Sequence, residues 1–182
     1  MYGMVNQALQ DLIVSQCGTT TWDEVRREAG IEHDFVLMDQ YPDDLTVRLI
    51  TAAGTRLQRS PAQVLEDFGQ YWIRYTAHAG YGDLLRLAGG SFVSFLQNLD
   101  VLHARVGLTF PHLTPPSFQC TDITPRQVVL HYHSTRDGLA PLVVGLVRGL
   151  AQMFRTRVEI TQTACRGAGS DHDIFLIECE IA

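Results

Sequence analysis

The chain has no surplus of basic charge: 14 Arg and Lys stand against 20 Asp and Glu, a formal charge of −6 at neutral pH. Nucleic-acid binding therefore has no electrostatic support, and no cationic cluster reads as a patch for a membrane surface. Cysteine is scarce. Cys17, Cys120, Cys165 and Cys179 are scattered with no CxxC pair, which fits a reducing compartment better than a disulfide scaffold. Long hydrophobic runs are missing too: the greasiest stretch, LAPLVVGLVRGLAQMF, is interrupted by Arg148 and is too short to span a bilayer comfortably. The opening MYGMVNQALQDL has neither a cationic leader nor an apolar h-region, so no secretory signal is expected. Internal repeats and low-complexity linkers are absent. What remains is 182 residues, 46% hydrophobic and 19% charged, enough for one domain with a core and room for a mid-sized ligand. A largely disordered chain is excluded. The expectation is a soluble cytoplasmic protein with no nucleic-acid or membrane partner.

Helical patterning fills the first two-thirds. Residues 2–17 carry Met4, Val5, Leu9, Leu12 and Ile13 at helical spacing. Thr21 with Glu24 offers a capping box for a short helix that Gly30 closes. Ser60, Pro61 and Gln63 open another that runs to about Tyr75. After the AGG break, one long helix is expected over about 91–108. Beyond FPHLTPPSF the texture changes to strand-like segments near 117–123, 126–135, 156–165 and 172–181, with a helix at about 139–154 between the second and third. The predicted fold is α+β: a mostly helical part, about 1–110, packed on a small antiparallel four-stranded sheet with one inserted helix, about 111–182.

Two features carry chemistry. Read with a period of two, Val128, Leu130, Tyr132, Ser134 and Arg136 fall on one strand face that starts apolar and ends in a phenol, a hydroxyl and a guanidinium. A solvent edge does not explain the apolar start, and a buried face leaves the cation needing a partner. A ligand that is greasy at one end and anionic at the other explains both. The second feature is His103, one turn after Leu99 and one turn before Val106 in the expected buried stripe Phe92, Phe95, Leu96, Leu99, Leu102, Val106. Such a histidine is either a core residue bonded to a backbone carbonyl or a neutral imidazole offered to a metal. Protein-only metal sites take three or four ligands, and the other histidines do not assemble them: His131 and His133 alternate onto the face opposite Tyr132, His112 lies in a Pro-rich loop, and His33, His78 and His172 are in polar contexts. One axial histidine suffices when a macrocycle supplies the rest, as in haem, whose two carboxylates suit Arg136, Tyr132 and Ser134. Side chains two apart on a strand are roughly 6.5–7 Å apart, and such charge-assisted contacts contribute on the order of 1.5–3 kcal/mol each.

MYGMVNQALQDLI, FGQYWIRYT, GYGDLL, LDVLHARVGLTFP, PPSF, HYHSTRDGLAPLVVGL and DHDIF, in this order, closely resemble the H-NOX family of haem-nitric oxide/oxygen-binding domains, related to the haem domain of soluble guanylate cyclase. The resemblance covers essentially all of residues 1–182. It implies one domain of the stand-alone bacterial type holding haem b (protoporphyrin IX iron), with His103 as axial iron ligand and Tyr132, Ser134 and Arg136 clamping the propionates. Pro116 would pack on and distort the porphyrin. Asp44 corresponds to a carboxylate that pairs with the clamp arginine, although a helix N-terminal charge explains it equally. Some members hold zinc through a cysteine directly after that arginine; here the position is Asp137, so no zinc is expected, and Cys120, Cys165 and Cys179 are read as small apolar core residues.

In oxygen-binding members a distal tyrosine comes from the helix after the clamp strand. Aligning that helix on Gly145 puts Leu142 at its position. Its neighbours LAPLVV are apolar, a lining that gives oxygen no hydrogen bond, and Val5, Trp72, Ile73, Thr76, Leu142 and Leu146 are the distal-lining candidates. The resemblance thus implies a sensor that binds nitric oxide and carbon monoxide, excludes oxygen and is no enzyme. Nitric oxide would weaken the Fe–His103 bond, free the helix and let the porphyrin relax against Pro116, signalling to a histidine kinase or a cyclic-di-GMP enzyme by population shift. The rivals are an oxygen-binding protein with Trp72 or Tyr71 as donor, a haem enzyme, which would need a distal acid/base pair, and a metal-free packing domain.

Overall fold

The computed structural model describes residues 1–76 and 82–180, without the side chains of Leu84 and Arg86. His78 and Ile181 lie outside these described residues. Helices come first: α1 (Gly3–Cys17), α2 (Thr19–Glu28), α3 (Asp43–Leu57), α4 (Pro61–Thr76), α5 (Gly82–Ala88), α6 (Phe92–Gln97) and α7 (Leu99–Thr109). Strands β1 (Ser117–Thr124) and β2 (Gln127–His133) follow, then α8 (Ala140–Met153), β3 (Arg157–Ala164), a single 3₁₀ turn (Arg166–Ala168) and β4 (Asp173–Glu180). The four strands form one antiparallel sheet in the order β1-β2-β4-β3. The expected α+β architecture, with one helix inserted between the second and third strands, is the observed one.

Two hydrophobic clusters meet at α4 and α8. The first joins Leu9, Leu12 and Ile13 of α1 to Trp22, Val25, Leu49, Ala53, Val64 and Phe68. The second packs Val143, Val147 and Leu150 of α8, with Phe92, Phe95 and Leu96, on the inner sheet face of Val128, Leu130, Tyr132, Phe175 and Ile177. Trp72 and Leu139 border both clusters. Glycine permits the α4–α8 crossing: a Cβ on Gly69 would run into the Leu142 carbonyl, and one on Gly145 into the Glu66 carbonyl. Backbone lies directly on backbone there.

Local signals succeeded where side-chain chemistry is decisive. Ser60 Oγ accepts from Gln63 N at 3.2 Å while Gln63 Oε1 accepts from Ser60 N at 2.9 Å, a complete capping box at the start of α4. The Thr21–Glu24 box does not form. Gly18, at φ +84°, turns the chain sharply after α1, so α2 starts already at Thr19 and Thr21 lies inside it, donating to the Cys17 carbonyl at 2.9 Å. The single long helix over 91–108 is in fact two. Asn98, at φ −100° and ψ 8°, breaks it, and its Nδ2 donates to the Ala88 carbonyl at 2.8 Å. Asparagine competes with helix in this way because its amide offers the backbone an alternative bond. A serine pair caps the first piece, Ser91 Oγ accepting from Ser94 N.

The period-two reading of the clamp strand holds only through Tyr132. Val128, Leu130 and Tyr132 are buried on the inner face, but β2 ends at His133. Ser134 and Arg136 belong to the turn beyond it, where Ser134 Oγ accepts from Arg136 N at 3.0 Å and Gly138 takes φ +76°. Their common direction comes from that turn and not from strand alternation.

Candidate functional site

Between the helical part and the sheet lies a cavity of about 670 Å³, within the range of about 300–1,000 Å³ usual for mid-sized ligands. Its walls come from α1, α3, α4, α7, the 110–118 segment, β2, the 134–137 turn and α8. His103, Pro116, Tyr132, Ser134 and Arg136 all line it, as do Val5, Trp72, Ile73, Thr76, Leu142 and Leu146. Residues up to 149 positions apart in sequence thus share one enclosure, Met1 with Leu150. Tyr71 is not among the lining residues; Arg74 sits over its ring, 5.6 Å from the centroid.

His103 is half-buried on α7, and its Nδ1 is sealed from solvent with no hydrogen-bond partner. Burial drives its pKa below the ordinary histidine value, against the opposing pull of the Asp100 carboxylate. The imidazole is therefore held neutral at pH 7, the form that can give a lone pair to a metal. Its ring lies 5.8 Å from that of Phe118, which lies 5.3 Å from Tyr132, so an aromatic row connects α7 to the inner sheet face. Asp100, one turn earlier, fixes α7 to the start of β1: Ser117 Oγ donates to Oδ2 and Phe118 N to Oδ1, both at 2.8 Å.

The polar end is organised around Arg136. Its Nε donates to Asp43 Oδ2 at 2.6 Å and its Nη1 to the Thr114 carbonyl at 2.9 Å. Partial burial pushes the Asp43 carboxyl upward, but hydrogen bonds from the Met1 ammonium and Arg136 outweigh it and hold the group below the usual carboxylate range. Asp43, not Asp44, is thus the partner of Arg136. Asp44 faces Arg48 one turn along α3 at 3.6 Å. Two adjacent aspartates in PDDLT look equivalent in sequence, and only the start of α3 at Asp43 separates them. Burial raises the Tyr132 pKa, opposed by its bond to Ser134 and by the Arg136 and Arg166 charges, so the phenol keeps its proton and can donate.

The opposite wall is apolar. Thr76 spends its hydroxyl inside α4, donating to the Trp72 carbonyl at 2.8 Å and to that of Ile73 at 3.2 Å. Trp72 stacks on Tyr75 at 6.0 Å and meets Phe68 edge-on at 6.0 Å. Tyr2, buried and packed 5.0 Å from Phe110, is a lining residue that sequence reasoning missed. A tyrosine at the second position carries no helical period to flag it.

His131 and His133 fall on the outer sheet face, as their alternation requires. His131 Nδ1 is 2.8 Å from His172 Nε2, and His172 Nδ1 is 2.5 Å from Asp171. Among the described residues no three His, Cys, Asp or Glu side chains gather as a metal site. Asp137 pairs with Arg166 at 3.2 Å. Cys120 and Cys179 are half-buried, and burial with the Asp100 charge pushes the Cys120 thiol up to about 11. Cys165 is exposed, which corrects its reading as a core residue.

These donors fit haem: one neutral imidazole with a buried nitrogen lacking a protein partner, an arginine and two hydroxyls at one end for carboxylates, and a greasy enclosure between. Comparison with known proteins points the same way. The haem-NO-binding family (HNOB) matches residues 2–162. Soluble guanylate cyclase gcy-31 of Caenorhabditis elegans is 32% identical over 162 residues, 88% of this chain and 23% of the cyclase. Soluble guanylate cyclase 89Db of Drosophila melanogaster is 29% identical over 85% of this chain and 23% of its own length. The chain therefore spans about a quarter of the curated relatives it matches. An H-NOX protein from Shewanella oneidensis, solved in the Fe(II)NO ligation state, superposes with a TM-score of 0.89 at 26% identity, covering 100% of both chains. An H-NOX domain of the same organism in the Fe(II)CO state, at 24% identity and a TM-score of 0.87, shares the fold. No helix among the described residues is long and apolar enough to cross a membrane. From its fold, its cavity and these matches, the chain belongs to the haem-NO-binding family, the haem-based gas-sensing H-NOX domains related to soluble guanylate cyclase.

Proposed function

We propose that residues 1–182 act as one haem b-binding unit that senses nitric oxide, also takes carbon monoxide, excludes oxygen and signals to a partner without catalysing a reaction. His103 would hold the iron, and Tyr132, Ser134 and Arg136 would hold the two carboxylates. The observation that carries this reading is the polarity of one cavity: a neutral, half-buried imidazole on α7, a cationic and hydroxylic rim, and a wall of Ile73, Leu142 and Leu146 beside a Thr76 hydroxyl spent inside α4. When bound, haem would supply a ferrous iron able to take a diatomic gas, with His103 holding the iron and Leu142, Leu146 and Thr76 among the residues lining the same cavity. Retaining oxygen in such a cavity would call for a hydrogen-bond donor in its lining. Leu142 and Leu146 offer none, and Thr76 has committed its own hydroxyl.

Asp100 and β1 hold α7 at its N-terminal end, so a change at His103 would shift the balance between two placements of that helix. A histidine kinase or a cyclic-di-GMP enzyme would read the altered α7 surface. One observation favours a second reading: Trp72, a possible donor, lines the cavity, which leaves an oxygen-binding protein as the alternative. Absorption spectra of the haem-loaded, reduced protein separate the two. We expect no spectral change in air, and with nitric oxide a change that reports loss of the imidazole ligand. A stable oxygen complex in air would overturn the exclusion of oxygen, useful peroxide turnover would point to an enzyme, and no Soret band even with added haem would overturn the whole reading.

A further inference from the structure

Ser134 and Arg136 reach the cavity from a segment beyond the last ladder pair of β2, so the sheet does not fix them. Arg166, which does not line the cavity, supplies what the sheet does not. From the 3₁₀ turn after β3, its guanidinium donates through Nη1 to the Ser134 carbonyl and pairs with Asp137 Oδ1 at 3.2 Å. These two partners bracket Arg136. The backbone of Arg166 is itself anchored: its N–H donates to Asp173 Oδ1 at 3.1 Å, and the same oxygen accepts from Gln162 Nε2 at 2.9 Å. Asp173 is buried and stands opposite Tyr132 in the β2–β4 register. A continuous polar chain thus runs from the ends of β3 and β4 through Arg166 to both sides of the rim arginine.

We propose that Arg166 is the positioning residue of the rim: it touches no ligand and sets the backbone from which Ser134 and Arg136 present their donors. Both contacts are made by one nitrogen, Nη1, whose two N–H bonds point in fixed directions in the guanidinium plane, an orientation that a lysine ammonium on a flexible stem does not hold. The consequence for binding rests on the haem reading above, whereas the positioning is a property of the chain alone.

The test follows both levels on the full chain. Arg166→Ala should speed amide exchange at residues 134–137 by about tenfold, the scale of losing a charge-assisted bond, and leave Val128–Leu130 unchanged. Release of haem to an excess of acceptor apoprotein should quicken by about the same factor, with Arg166→Lys falling between alanine and wild type. Unaltered exchange at 134–137, or acceleration spread evenly through the sheet, overturns the proposal. Faster local exchange in a protein that takes up no haem leaves Arg166 its role and removes the haem reading instead. Should Arg166→Ala fail to fold, Arg166→Lys loosens both contacts of Nη1, and Asp137→Asn, at an exposed position, removes the charged one. Each is then expected to raise exchange at 134–137 about two- to threefold, and no effect from either overturns the proposal.

Discussion

The two ends of the cavity are built by opposite means. At the rim, Arg136, Asp43, Ser134 and Tyr132 hold one another by directed bonds of fixed length, and part of that end is open to water. At the far wall, Trp72, Ile73, Leu142 and Leu146 rest on the α4–α8 crossing, where the order comes from close packing and the absence of a Cβ at Gly69 and Gly145. Directed bonds fix where a ligand's charged edge must lie. On the proposed reading, the largely apolar wall would decide what small molecule is tolerated at the other side. Anchoring and selectivity can therefore be changed separately.

The largest effect should come from the residue between the two ends. His103→Gly is expected to change or abolish the Soret band of the loaded protein, with free imidazole restoring it; an unchanged band without imidazole would leave the contrast with nothing to act on. Next, Arg136→Ala should weaken haem binding by about tenfold to a hundredfold, the equivalent of one charge-assisted contact, with gas selectivity unaltered. If selectivity changed as well, the two ends would be coupled. Gly145→Ala disturbs only the far wall, because its Cβ meets the Glu66 carbonyl. A loss of about 1–3 kcal/mol in urea unfolding is expected, against a near-neutral Gly90→Ala, where nothing lies within 4 Å. Leu142→Tyr gives the far wall a donor and should raise oxygen affinity by about tenfold, one hydrogen bond's worth, while haem release stays as in wild type.

The smallest effect is in pH. Burial lowers the folded pKa of His103, and burial with the neighbouring His172 and His133 charges lowers that of His131, against the pull of Asp122. The unfolded chain then binds more protons, so stability is full above about pH 6.5 and falls as acid is added through that value toward the folded pKa. Asp43, with its folded pKa depressed, contributes stability present above the unfolded value of 3.8 and lost only in stronger acid. Urea midpoints of the apoprotein should therefore decline between neutrality and pH 5; a flat profile would show that the histidines are not held neutral.

Sequence periodicity reached the inner sheet face, α1, α4 and α8, because burial on one face imposes a regular spacing on apolar residues. It also reached His103 and the Tyr-x-Ser-x-Arg segment, where polar groups interrupt that spacing. It did not reach the break at Asn98, since the bond from its amide to Ala88 depends on how the preceding turn folds back. The choice of Asp43 over Asp44 and the part taken by Arg166 were likewise hidden. Both are contacts across long sequence separations, 93 residues for Asp43–Arg136 and 32 for Ser134–Arg166, and no local pattern encodes them.

The interruption at Asn98 has a mechanical consequence. A continuous rod through this region would spread any twist at its middle over its whole length and into the serine-capped end. Cut at that point, the 11-residue piece bearing the imidazole becomes a short lever between the aspartate beside the cut and buried Phe110, so a small displacement of the ring would be taken up within that piece, at the exposed Leu108 and Thr109, before it reached the capped one.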